Sequence, residues 1–247
     1  MIFAVALALS VLQGADSCAR PELLPAYSHN DYNNRRPLLD ALDRGYRGVE
    51  ADLIRQGDSL IVAHDRRALY PSRTLARLYL EPLRQRLRRC GAILSDSSPF
   101  FLFIEVKESD ERAFRLLTHQ LREFEDLFGA VHVVLVGNWL PADSMIAQWP
   151  AYLKMQVSPT AKIAPFIRPG LITIDYGKTL RWDGQGPVPQ QGAETLRQAR
   201  RLSDSLHVPI RVHHVPVNKE VFRWLLAEGV TLIGVTDLQR AVNIRAF

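Results

Sequence analysis

The chain has 247 residues, 47% hydrophobic and 23% charged, with 14 Gly, 15 Pro and 2 Cys. This is the balance of one large globular domain, and it excludes a disordered chain, a collagen-like fibre and a disulfide framework. The net charge of +5 comes largely from arginines in amphipathic stretches such as "RLYLEPLRQRLRRC" and "TLRQARRL"; these read as solvated helix faces, and no basic run interleaved with stacking aromatics points to nucleic acid.

The first predicted element is an apolar run from Ile2 to Leu12, too short to cross a bilayer and followed by small and polar residues. It predicts a secretion signal over residues 1–19, cleaved between Ala15 and Ala19, and hence an exported protein: periplasmic, secreted or lipid-anchored. A buried first helix is the alternative. Cys18 and Cys90 permit one disulfide, which an oxidising compartment would support; a lipidated Cys18 is the other reading, with peripheral membrane contact. Neither cysteine stands in a zinc-ligand spacing.

From residue 20 to 247 short apolar runs alternate with amphipathic stretches. The strand candidates are "LLPAYS", "RGVEADLI", "SLIVAHD", "FFLFIEVK", "AVHVVLVG", "YLKMQV", "GLITIDY", "VPIRVHHV" and "TLIGVTD". Helix patterns separate most of them: "RRPLLDALDRG", "TLARLYLEPLRQRLRRC", "DERAFRLLTHQLREFEDLFG", "ADSMIAQW", "AETLRQARRLSDSLH", "NKEVFRWLLAEG" and "LQRAVNIRAF". Such alternation predicts a parallel sheet buried on both faces. "RGVEADLI" and "SLIVAHD" are joined only by "RQGD", too short for a parallel crossover, so they predict an antiparallel excursion at the second strand. Counting that pair once leaves eight strand-helix units, the number that closes a (β/α)8 TIM barrel of about 250 residues. The Gly- and Pro-rich segment "GKTLRWDGQGPVPQQG" reads as a long loop over the barrel mouth.

In such barrels chemistry gathers at the C-terminal ends of the strands. His29 ends the first predicted strand, Glu50 and Asp52 lie on the second, His64 ends the return strand, and Glu105 and Lys107 end the third. Glu50 and Asp52 are two apart, so they point to one face. Two carboxylates on one face repel, and Glu105 in an apolar strand needs a partner of its own. A divalent cation among the three satisfies both needs, and an all-oxygen set favours Ca²⁺ or Mg²⁺ over zinc. The alternative is that the three pair with arginines at the rim. His29 and His64 are the expected acid/base pair. Lys107 either presents its charge to a phosphate or bridges the carboxylates.

In order and spacing, His29, Glu50-Ala51-Asp52, His64-Asp65, Glu105-Val106-Lys107 and the closing Thr236-Asp237 resemble the glycerophosphodiester phosphodiesterase family, within the phosphatidylinositol-phospholipase-C-like barrels. The "HND" opening looks closer to a bacterial and fungal branch than to typical members. The resemblance implies metal-dependent hydrolysis of a small glycerophosphodiester-like substrate by His29 and His64, with one Ca²⁺ or Mg²⁺ on Glu50, Asp52 and Glu105, and with Asn30 and Lys107 binding substrate. Typical members carry Arg and Gly after the first His, where this chain has Asn30 and Asp31; Arg35 or Arg36 is the candidate replacement for that phosphate-binding Arg. A metal-independent phospholipase-C-like or sphingomyelinase-D-like lyase, and a barrel that binds phosphate ligands without turnover, are the alternatives. The oligomeric state is left open.

Overall fold

A computed structural model describes residue 18 and residues 21–96, 98–108, 111–137 and 143–239. The predicted secretion signal, apart from Cys18, lies outside these residues, as does the predicted last helix beyond Gln239. Among the described residues no helix is long and apolar enough to cross a membrane.

Nine strands form one sheet: β1 (Leu24–Ser28), β2 (Tyr46–Gln56), β3 (Ser59–Val62), β4 (Phe100–Val106), β5 (Val131–Val136), β6 (Leu153–Val157), β7 (Pro169–Asp175), β8 (Ile210–His213) and β9 (Leu232–Val235). Their order is β1-β9-β8-β7-β6-β5-β4-β2-β3, and β1 also pairs with β2. Eight parallel strands therefore close into a barrel. β3 folds back antiparallel on the upper part of β2, with Leu53 opposite Val62 and Gln56 opposite Ser59, as the short "RQGD" connection requires.

Side chains alternate across each strand. On β4, Phe101 and Phe103 point inward to join Tyr27, Val134, Val136, Leu171 and Leu232 in the barrel interior. Phe100, Leu102 and Ile104 belong instead to the larger core beneath the helices. This two-sided burial is why the strands read as continuous Val, Ile and Phe runs. Gly234 makes room for the interior: a Cβ there would meet the Tyr27 hydroxyl at 2.6 Å.

The helices are α1 (Leu39–Leu42), α2 (Glu81–Cys90), α3 (Glu111–Arg122), α4 (Asp143–Ile146), α5 (Gln190–Leu206) and α6 (Lys219–Ala227). Several are shorter than their sequence patterns. α1 is cut to four residues because Leu38, just before it, has φ 65°. A π turn over Ala76–Leu80 leads into α2. The segment 177–192 is less open than predicted, since it begins inside a π turn over Tyr176–Leu180 and α5 already starts at Gln190. No helix joins β6 to β7. Cys18 and Cys90 form a disulfide with Cα atoms 5.6 Å apart, so the Cys18 thiol is not free for a lipid.

Candidate functional site

On β1, β4 and β7 the inward-facing column changes from apolar to polar toward the C-terminal end, from Tyr27 to His29, Phe103 to Glu105 and Leu171 to Asp175. Its last members line a cavity of about 410 Å³ at the barrel mouth, into which His29, Glu50, His64, Glu105, Lys107 and Arg211 all reach. The parallel register sets Asp52 directly beside Glu105. Glu50 precedes Asp52 by two residues, so the three carboxylates converge: one ligand oxygen from each lies within 4.8 Å of those from the other two.

Each carboxylate is anchored through one oxygen. Glu50 Oε2 pairs with the Arg211 guanidinium. Asp52 Oδ2 accepts from the Tyr32 hydroxyl at 2.6 Å, and lies 3.0 Å from His64 Nδ1 and 2.9 Å from Lys107 Nζ. Glu105 Oε2 accepts from Lys107 Nζ at 3.0 Å. The other oxygens are left over. Asp52 Oδ1 is buried with no hydrogen-bond partner among the described residues, a state that costs about 1–3 kcal/mol unless something else satisfies the atom. Glu50 Oε1 faces His29 Nε2 at 3.8 Å, beyond hydrogen-bond reach. Gly137 adopts φ 96°, and a Cβ there would meet Glu105 Cγ at 2.6 Å and Oε1 at 2.9 Å. The glycine thus keeps the space in which that carboxylate stands. An orphaned buried oxygen amid three converging carboxylates fits a hard divalent cation.

The charges bear on one another. Burial raises the Glu105 carboxyl above its usual value, with Asp52 and Glu50 adding to the rise and Lys107 opposing it. Burial alone would lower the Lys107 ammonium, but Asp52 and Glu105 hold it above the ordinary lysine value. Lys107 is therefore a bridge between carboxylates, one of the two roles open to it from sequence. Glu50 likewise takes an arginine partner through one oxygen while keeping the other.

His29 and His64 stand on either flank of this set. Burial lowers the His29 imidazole below the ordinary histidine value, against the opposing charge of Glu50 and with help from Arg211 and His214. Its Nδ1 lies 3.3 Å from Thr236 Oγ1. His64 is held through Nδ1 by Asp52, while 61% of its side chain is exposed. Asn30, at φ 51°, accepts from the Tyr32 hydroxyl at 3.0 Å and also reaches the cavity.

Arg36 is not a replacement for the arginine missing after His29. It is exposed and tied to Asp40 and Asp43 on the side of α1; Arg35 is exposed and does not line the cavity. The guanidinium at the mouth is that of Arg211 on β8, which pairs with Glu50, lies 3.3 Å from Thr173 Oγ1 and stacks 4.7 Å above the Tyr27 ring. Tyr32, Asp175, His213 and His214 are further mouth residues that the sequence did not single out. Burial, followed by the charges of Arg211 and His214, pushes the His213 imidazole down to about 3.

Residues 21–97, which hold β1, β2 and β3, match the family model of the AIM6-like phosphodiesterase domain. The chain is 25% identical over 262 residues to an altered inheritance of mitochondria protein 6 homolog of Arthroderma benhamiae, covering 88% of this chain and 82% of that protein. Altered inheritance of mitochondria protein 6 of Eremothecium gossypii is 33% identical over 155 residues, with 51% of this chain and 40% of that protein covered. The fold superposes on a glycerophosphodiester phosphodiesterase of Parabacteroides distasonis with a TM-score of 0.55 and 17% identity, covering 90% of this chain and 98% of that one.

Proposed function

We propose that this chain is a metal-dependent phosphoric diester hydrolase acting on a small glycerophosphodiester-like substrate. The observation that carries the reading is the carboxylate arrangement: three acids brought together, one oxygen of each anchored, and Asp52 Oδ1 buried without a partner among the described residues. The partial match to a phosphodiesterase domain supports the same chemistry.

Glu50, Asp52 and Glu105 would hold one Ca²⁺ or Mg²⁺. A bound divalent cation supplies positive charge against the charge that develops on the phosphate oxygens. The chain's own groups do the rest. Lys107 and Arg211 fix the orientation of the carboxylates, and Asn30 presents its amide to the substrate. His29, kept neutral by burial, takes the proton from the attacking oxygen. His64 is oriented through Nδ1 by Asp52, leaving Nε2 as the atom that gives a proton to the leaving alkoxide. The cavity of about 410 Å³ fits a small ester rather than a polymer. The disulfide supports an exported location, since such bonds persist in oxidising compartments.

The test is turnover of a phosphodiester panel, led by glycerophosphodiesters, in Ca²⁺, in Mg²⁺ and in chelator. Release of a phosphomonoester and an alcohol, lost in chelator and restored by one of the two ions, is the expected result. A cyclic phosphate formed equally well in chelator would overturn it in favour of a metal-independent lyase. Metal-dependent ligand binding with no turnover of any ester would overturn it in favour of a binding barrel.

A further inference from the structure

On the far side of the mouth from the three carboxylates stands a second group of ligand-type side chains with different chemistry. Asp175 ends β7 and His213 ends β8, and the register sets them side by side. In the closed strand order, β7 and β8 lie opposite β2 and β4. His214 would normally point outward, because strand residues alternate. It instead adopts φ 56°, a left-handed conformation uncommon outside glycine, and turns toward the same aspartate. Asp175 Oδ1 lies 3.2 Å from His214 Nδ1, and Oδ2 lies 3.6 Å from His213 Nε2. One ligand atom from each of the three lies within 4.8 Å of those from the other two.

The conventional account is an aspartate that caps a turn and steadies two imidazoles. Part of it holds, since Asp175 accepts from Lys178 N at 3.2 Å and lies 3.4 Å from the largely exposed Lys178 Nζ. It does not account for His213. That imidazole makes no hydrogen bond among the described residues: Nδ1 is buried without a partner, and Nε2 stops short of Asp175. An imidazole held in place but unbonded, next to a second one delivered by an unusual backbone conformation, is arranged to donate lone pairs.

We propose that Asp175, His213 and His214 form a second metal site, selective for a Zn²⁺-class ion rather than for Ca²⁺ or Mg²⁺. Two nitrogens and one oxygen are the donor set of borderline transition metals, whereas the all-oxygen set across the mouth suits hard cations. Three protein ligands leave a coordination position open, and all three line the cavity that Glu50 and Glu105 also line. His29 links the two sides: it lies 3.8 Å from Glu50 and its ring centroid is 5.8 Å from that of His214. The inference stands independently of the proposed hydrolysis.

The experiment is titration of the full chain with Zn²⁺, and with Co²⁺ as a spectroscopic substitute, in excess Ca²⁺ to saturate the carboxylates. The wild type is expected to bind one equivalent of Zn²⁺ and to give Co²⁺ the visible absorption of a low-coordinate nitrogen-bearing site. His213→Gln and His214→Asn should each weaken this binding by about 100-fold or more, since losing even a residue behind a ligand costs about 10- to 100-fold. Asn tolerates a left-handed backbone and His214 is mostly exposed, so the second variant keeps the fold. Glu105→Gln should leave Zn²⁺ affinity within a few-fold of wild type. Absence of Zn²⁺ binding by the wild type, affinity unchanged from wild type in both His variants, or loss of affinity in Glu105→Gln instead would each overturn the proposal.

Discussion

The Arg211 guanidinium on β8 pairs with the Glu50 carboxylate on β2, across a barrel mouth that only closure of the sheet creates. Both groups are buried. Removing one partner of such a pair leaves the other charge stranded, which costs about 3–5 kcal/mol. Arg211→Met is therefore expected to lower the unfolding free energy in denaturant by that amount. Glu50→Gln combined with Arg211→Met should cost clearly less than the two single changes summed. Strict additivity would mean that the two groups do not interact.

His29→Ala and His64→Ala should each reduce turnover of the best phosphodiester by about 10²- to 10⁴-fold, the usual worth of a single general acid or base. Circular dichroism and thermal melts should show both variants folded. If both retain near full rate, the acid/base assignment is wrong.

Gly137→Ala tests the space around Glu105. The substitution meets both a positive φ of 96° and the Glu105 side chain at 2.6 Å. Calorimetry should show weaker binding of added Ca²⁺ or Mg²⁺, and the melting temperature should fall, because Ala in this backbone region is strained and the carboxylate must move. Unchanged affinity would show that Glu105 holds its place without the glycine.

His132, on β5 near the start of the barrel, predicts a pH effect away from the mouth. Burial first, then the charge of Lys154, pushes its imidazole down to about 4. Between that value and the ordinary histidine value near 6.5, the unfolded chain binds more protons than the folded one, so stability rises with pH across this window and is lost on acidification. His132→Gln should flatten this part of the stability-pH curve relative to wild type. An unchanged slope would assign the acid sensitivity to other groups.

The Cys18–Cys90 bridge closes a loop with a sequence separation of 72. Constraint of the unfolded chain by such a loop contributes about 2–4 kcal/mol. Reduction, or Cys90→Ser, should lower the denaturant midpoint accordingly. A free thiol titrating in the unreduced native protein would contradict the bridge.

The eight-stranded closure was readable because the alternation of apolar runs with amphipathic stretches and the short "RQGD" link are local signals. The side-chain period of two along a strand brought Glu50 and Asp52 to one face, and the apolar run around Glu105 marked it as a residue in need of a partner. Arg211 was hidden for two reasons. It is one of many arginines in a basic chain, and its partner is 161 residues away in sequence, a proximity that exists only once β8 and β2 share a barrel. Tyr32 was hidden by chemistry, since a phenol near a strand end reads as packing until its hydroxyl is seen on Asp52. His213 and His214 were visible as a pair, but alternation allows only one of two neighbours to face inward. The left-handed turn at His214 breaks that rule, and the modest preference of His for such a backbone is too weak a local signal to announce it. The short α1 has a similar cause, because the positive φ at Leu38 interrupts a helical pattern that looks continuous in the sequence.

The placement of the disulfide has a geometric corollary. α2 runs back toward the end of the barrel where the strands begin: its Arg84 pairs with Asp126, in the turn just before β5, and Cys90 is its last residue. Cys18 is thus stapled to the closed base of the molecule. The bridge therefore lies at the opposite end of the barrel from the carboxylates, so breaking it removes a constraint on the chain without touching a residue that lines the mouth.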